Sequence, residues 1–393
     1  MTALLAPAGN LEKLKVAVAY GADEVYFGLE RFSLRAFAGN FSLDDAQTGL
    51  RHLHAHNKKG FAALNIYPFE EEYAALLDTA AALADMGVDA LIVSDLGVLK
   101  AIREAGIRVP IHISTQANTL SLQAVRAWQE LGAQRINLAR ELSFDRIAQI
   151  TAAAREVEIE VFIHGAVCFS YSGRCAISDW LTGRRANRGE CTHPCRWEYA
   201  ITEKKRPGET FSVAEDERGL YLFNSRDLAL FSFALPLMKA GVHAFKIEGR
   251  MKSTHYLAVV VSLYRRLMDG AQLDETEALA ELSRLRNRGF STGFMKGTVT
   301  PEDYRFDSSE TAGISRFLGI VLPSPEGPII DVRNRMRGGD KVEILVPRGP
   351  SFTAQLPDPL LRTDGETTKE VHHGRQLVLP FDLPVFSIVR SRV

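Results

Sequence analysis

The chain lacks most of the landmarks from which a function is usually read. Its 393 residues contain only four cysteines and three tryptophans, and 47 basic against 48 acidic residues leave a formal net charge of −1. No apolar run approaches the roughly 20 residues needed to cross a bilayer. The opening Met1-Thr2-Ala3-Leu4-Leu5-Ala6-Pro7 has no charged segment leading into an apolar core, as a secretion signal would. These absences point to a cytoplasmic protein that does not engage a membrane. A balanced charge excludes a protein that binds polyanions over its whole surface, but not one with a local basic face. H-E-x-x-H, G-x-S-x-G and the phosphate-binding P-loop pattern are missing as well, and Ser172-Gly173 lacks the leading glycine of a nucleophile elbow. Oligomeric state is not legible.

What is there is a soluble composition, 46% apolar and 24% charged, long enough for one large domain with a satellite. One pattern recurs: a helix-like stretch ends in glycine and an apolar, β-branched run follows. It occurs at Gly21–Phe27, Gly87–Val93, Gly132–Leu138 and Gly241–Ile247, with looser copies after Gly60 and Gly106. Glycine tolerates the left-handed turn that closes a helix and releases the chain into a strand. Asn10, Ser42 and Ser143 stand where N-caps belong. Eight strand candidates result: Leu4–Ala6, Val25–Gly28, Phe61–Ile66, Ala90–Ser94, Ile111–Ser114, Ile136–Ala139, Ile159–His164 and Ala244–Glu248.

Eight strands alternating with helices predict an α/β fold, a (β/α)8 TIM-type barrel, over residues 1–297. An open doubly wound sheet is the competitor, but no G-x-G-x-x-G follows the first strand. The interval between strands seven and eight is roughly twice that of an ordinary βα unit. It therefore holds an insertion, about residues 165–240, with every cysteine and then a polar hairpin over Tyr199–Leu222. Helices are expected at His255–Met268 and Glu275–Arg286, then a linker over 298–316. Short alternating runs in 317–393 (Ile320–Leu322, Ile329–Val332, Val342–Val346, Gln376–Leu379 and Val385–Val389) predict a small all-β barrel or sandwich.

The chemistry is carried by Cys168, Cys175, Cys191 and Cys195, a Cys-x6-Cys-x15-Cys-x3-Cys spacing within 28 residues. Four thiolates suit tetrahedral zinc or an iron–sulfur cluster, and softness does not separate the two. Zinc knuckles usually close C-x2-C turns, which are missing here, so the longer loops favour a cluster while zinc, disulfides and thiol catalysis stay open. Polar residues mark the strand ends facing the same mouth: Asn65, Gln116, Arg140, Glu141, His164, Lys246 and Glu248, with Arg250 and Lys252 just beyond. Such convergence makes a binding pocket, although strand-end polar groups also cap helices and pair with one another. Glu141, His164 and Glu248 are candidates for proton transfer, with none preferred by spacing. Arg184, Arg185, Arg188, Arg196 and Trp197 form a basic and aromatic surface suited to phosphates and stacked bases; an ordinary solvated loop is the plain alternative. Arg333–Arg337 is a weaker run of the same kind.

Beyond these patterns, the stretch from Phe162-Ile163-His164-Gly165-Ala166-Val167-Cys168 to Ser172-Gly173-Arg174-Cys175 resembles the signature of the collagenase-like peptidase family U32. So do Leu5-Ala6-Pro7-Ala8-Gly9 and Gly21–Gly28. Gly189–Tyr199, Arg206–Glu209, Glu215–Glu217, Asn224–Leu228, Lys246–Ser253 and Arg288–Phe294 are most similar to the branch responsible for 5-hydroxyuridine formation in tRNA. The likeness spans nearly the whole chain and is weakest after Thr298. It implies a 4Fe–4S cluster on the four cysteines and oxygen-independent hydroxylation of the tRNA wobble uridine. It also implies prephenate as co-substrate, a small dicarboxylate for which Arg140, Arg250 and Lys252 are suitable partners. One departure is a short Tyr199–Arg206 stretch, which puts a tRNA-touching element in doubt. The peptidase label implies hydrolysis instead, and an RNA- or metabolite-binding module without turnover is the third reading.

Overall fold

A computed structural model describes residues 2–34, 39–197, 215–216, 219–220, 225–304, 313–378 and 382–392. Eight parallel strands form the expected barrel: β1 (Ala3–Ala8), β2 (Glu24–Gly28), β3 (Lys59–Ala63), β4 (Ala90–Val93), β5 (Ile111–Ile113), β6 (Arg135–Asn137), β7 (Glu158–Gly165) and β8 (Ala244–Ile247). β8 pairs with both β1 and β7, which closes the ring. The first helix, α1 (Leu11–Tyr20), shows why the repeat folds this way. Asn10 accepts the Lys13 N–H at its start, and Gly21 ends it at φ 112°. A Cβ at Gly21 would stand 2.5 Å from the Arg265 side chain, so the position excludes larger residues twice over.

The barrel interior departs from the usual filling of branched aliphatics. Alternate residues of the strands point inward, and they include a buried charged layer. Arg135 donates to Glu24 at 2.5 and 2.9 Å and reaches Glu160 at 3.4 Å, while Lys246 donates to Glu160 at 2.8 Å. Closer to the C-terminal end lie Tyr26, Ala63 and Ile92, beside a register shift between Lys246 and Ile247 where β8 meets β7. Such a bulge re-aims side chains at a barrel rim.

Past β7 the chain makes the cysteine-bearing insertion. The hairpin expected over Tyr199–Leu222 falls mostly outside the described residues, which retain only the short ladder Glu215–Asp216 against Gly219–Leu220. Asp227–Ala229 then returns antiparallel to the end of β7 and pairs with Phe290–Ser291. A long buried helix, Thr254–Met268, packs beside α1. No helix among the described residues is long and apolar enough to cross a membrane.

The C-terminal part is an eight-stranded antiparallel sheet with its own core, including Leu318, Val321, Ile330, Val332 and Val389. The expected final strand, Val385–Val389, begins instead at Ile388, because Phe386 takes φ 71° and Ser387 turns back to Pro384. Strands at Phe352–Gln355 and Leu360–Arg362 were not marked in the sequence; their alternation is weak and their faces half exposed. The sheet is tied to the barrel by buried polar contacts. The Tyr20 hydroxyl donates to the carbonyls of Leu345 and Phe386, and Arg390 pairs with Glu281 and Glu343. Burial pushes the Glu343 carboxyl up, but hydrogen bonds from Arg284 and Arg390 outweigh it and hold the group at about 2.

Candidate functional site

A large pocket opens at the C-terminal mouth of the barrel. Its inner end is built from residues on the strands or directly after them: Tyr26, Ser114, Asn137, Phe162 and Lys246. The rim adds Asn65, Gln116, Arg140, Glu141, Glu248 and Arg250, and the outer wall carries all four cysteines. Sequence reasoning thus places the thiols and most of the strand-end polar groups on the same cavity as the structure does.

Cys168 is exposed as a residue, the other three half-buried, and none forms a disulfide. Burial pushes the Cys168 thiol up; the Ser170 N–H and Arg140 oppose it, and Cys175 and Cys191 add to it. Burial also raises Cys195 to about 11, with Arg196 opposing and the other three cysteines adding. All four cysteines line the same cavity. Two are already met by backbone donors, Ile177 N–H to Cys175 Sγ and His193 N–H to Cys191 Sγ, each at 3.4 Å. Amides turned toward sulfur suit a thiolate-bound centre, whose charge they offset. Among the described residues, no three His, Cys, Asp or Glu side chains stand close enough to share a single metal ion. The fit of the chain to an iron–sulfur cluster rests on the four-thiol donor set and its amide partners.

The insertion is docked onto three βα loops. Arg140 Nη1 donates to the Ala166 carbonyl at 2.8 Å, two residues before Cys168. Glu141 accepts from the Ser172 N–H at 2.5 Å and its hydroxyl at 2.9 Å, holding Ser172 at φ 45° between Cys168 and Cys175. Arg188 makes a two-pronged pair with Glu72 at 2.5 and 2.9 Å and donates to the Tyr67 carbonyl. Arg174 reaches the Gln116 carbonyl at 3.1 Å.

The remaining candidates fall in distinct places. Asn65 accepts from the Leu34 N–H, and Glu248 accepts from the Tyr26 hydroxyl at 3.1 Å. Arg250 is buried, donates to Ser33 at 2.7 Å, and fits only because Gly28 has no side chain: a Cβ there would lie 1.7 Å from Nη1. Arg140 stacks 4.0 Å over the Phe162 ring. His164 lies behind the pocket wall, its ring packed among Tyr256, Tyr264 and Phe290, and burial pushes it down to about 4. Lys252 also stands outside the pocket lining, 3.7 Å from Asp227. Arg184 and Arg185 are exposed on the outer side of the insertion, with Arg185 5.4 Å over the Phe69 ring; Arg196 is half-buried and Trp197 exposed. Of the exposed aromatics nearby, Tyr171 lines the pocket, while Phe69, Trp180 and Trp197 lie outside its lining with these arginines.

One pocket residue escaped the sequence reading, and another was given no special place in it. Lys246 was one of many strand-end polar groups, yet its ammonium lies 4.5 Å over Tyr26 and 5.6 Å over Phe162, at the inner end. Asn137 is 2% exposed, and neither atom of its amide has a hydrogen-bond partner among the described residues. The signal for both is the period of two: Arg135-Ile136-Asn137 and Phe245-Lys246-Ile247 put a polar group on the inward face of a strand.

Comparison with known proteins gives the ancestry. The tRNA hydroxylation protein P of Escherichia coli is 35% identical over 395 residues, covering 88% of this chain and 86% of that protein. The tRNA hydroxylation protein P1 of Bacillus subtilis is 35% identical, covering 95% and 90%. A protein named collagenase from Porphyromonas gingivalis is 31% identical, covering 96% and 94%. The model of peptidase family U32 matches residues 9–304, and that of the family's C-terminal domain matches residues 315–390. With both parts of the architecture matched in order, the chain belongs to peptidase family U32.

Proposed function

We propose that this protein is a cytoplasmic tRNA-modifying enzyme that forms 5-hydroxyuridine at the wobble position without molecular oxygen. In this reading Cys168, Cys175, Cys191 and Cys195 hold a 4Fe–4S cluster, and prephenate is the co-substrate. The observation that carries it is the convergence of four cysteines on a pocket that Arg140, Lys246, Arg250, Phe169 and Tyr171 also line. Relatives named for tRNA hydroxylation support the substrate. The cluster would supply electron transfer or Lewis acidity at the outer wall. Arg140, Lys246 and Arg250 would meet the carboxylates of the small substrate, since charge-assisted hydrogen bonds to such groups are strong in a desolvated site. The exposed Arg184, Arg185 and Trp197, with the half-buried Arg196, would meet RNA outside the pocket, the arginines at phosphates and the tryptophan by stacking.

The relative named collagenase favours a second reading, hydrolysis of a peptide in the same cavity. Among the described residues no histidine lines the pocket, and the Ser172 hydroxyl is engaged by Glu141 and Asn118. A serine–histidine or cysteine–histidine pair is therefore not assembled there among the described residues. The test is mass spectrometry of tRNA nucleosides from a deletion strain complemented with wild type or Cys175→Ala. The hydroxylase reading expects 5-hydroxyuridine to vanish on deletion and to return only with wild type; unchanged nucleosides refute it. A peptidase would cleave peptides after chelation and with Cys175→Ala, and a binding module would bind RNA without giving product in a single turnover.

A further inference from the structure

The amide of Asn137 is the strongest unexplained feature of the pocket. It sits on the inward face of β6 among the residues of the inner end, 2% exposed, with both Nδ2 and Oδ1 lacking a partner among the described residues. A buried primary amide left unmatched is costly, so such a group persists where something else completes it. Its chemistry is specific: one donor beside one acceptor. A carboxylate offers acceptors alone and would leave Oδ1 unmatched. An imide or amide edge offers both, and a pyrimidine base carries one.

We propose that Asn137 reads the base drawn into the barrel mouth, Oδ1 accepting from the uracil N3–H and Nδ2 donating to an adjacent carbonyl oxygen. Enzymes that act on a base commonly extrude it into a pocket and read this edge. Gripping the N3 edge leaves the C5–C6 edge, on the other side of the ring, clear of the amide for chemistry. Asn137 is then a specificity residue, distinct from the cations that meet the small carboxylate. The inference rests on the RNA reading above and adds to it the residue that selects the base.

The test pairs a protein change with a chemical one. Full-length wild type, Asn137→Ala and Asn137→Leu are titrated with a stem–loop RNA bearing an unpaired uridine, and with the same RNA bearing 3-methyluridine, which has no N3–H. Wild type should bind the uridine loop roughly tenfold more tightly than the methylated one, and the variants should bind both alike. Thermal melting of the RNA-free proteins gives a second readout. Removing an unmatched amide should leave Asn137→Leu melting no lower than wild type. Variants that still discriminate as wild type does, or a Leu variant that melts far lower, would overturn the assignment. A wild type that binds neither RNA would instead overturn the RNA reading on which it stands.

Discussion

Replacing Lys246 by methionine keeps most of the side-chain volume and removes its ammonium. That ammonium lies 2.8 Å from Glu160 Oε1, and both side chains are almost wholly buried, 5% and 3% exposed. Glu160 would be left with Arg135 at 3.4 Å, a guanidinium already engaged by Glu24 at 2.5 Å and Glu158 at 2.6 Å. Stranding one member of a buried pair costs about 3–5 kcal/mol. Losing the cation over Tyr26 adds about 1 kcal/mol. Changing Glu160 to glutamine as well removes the stranded charge and should return at least half of the loss. Urea unfolding of wild type, both single variants and the double variant measures this directly. A Lys246→Met loss below about 1 kcal/mol would refute the network, as would a double variant less stable than Lys246→Met. Activity separates the two roles of the lysine: the double variant should regain stability yet keep a raised KM for the small carboxylate.

At Gly28, alanine would drive a Cβ to 1.7 Å from Arg250 Nη1 and 2.4 Å from Ser33 Oγ, expelling the guanidinium from the rim. The expected cost is about 1–3 kcal/mol, seen as a lower melting temperature together with a raised KM for the carboxylate. His112, His164 and His255 are all held below their ordinary pKa, chiefly by burial, His164 at about 4 and His255 at about 3. The unfolded chain binds more protons than the folded one below pH 6.5, so stability is full above that value and falls as pH drops toward 5. The slope is about 1.4 kcal/mol per pH unit for each histidine. Melting temperatures across this range should fall, and less steeply in His255→Gln; a flat profile contradicts the assignment. Arg184→Ala with Arg185→Ala should weaken RNA binding and lower its salt dependence without changing the fold. Arg188→Ala should instead loosen the insertion from Glu72, read as faster proteolysis between residues 165 and 197.

The ring of strands was legible because several helices end in a glycine that the backbone requires, as at Gly21, Gly87, Gly132 and Gly241, all with positive φ. That the four cysteines would share one cavity was legible because they are rare and clustered. What the sequence concealed follows from distance along the chain. Glu24 and Arg135 lie 111 residues apart and meet only once the barrel closes. Glu141 carried no local sign that it would secure Ser172, and His164 gave none that its ring would face away from the pocket. Short strands such as Leu360–Arg362 carry too few alternations to register. Lys246 lies on β8 and reaches the pocket, whereas Lys252 follows the strand and stands beside Asp227, a difference that only the folded chain displays.

The proposed function stands or falls on whether the four cysteines bind an iron–sulfur cluster at the mouth of the pocket. Iron and acid-labile sulfide should be assayed in anaerobically purified wild type and in Cys175→Ala, alongside zinc. The account predicts about four iron and four sulfide per wild-type chain, and a large loss in the variant. About one zinc per chain with no sulfide, or iron retained in full after Cys175 is removed, would contradict it.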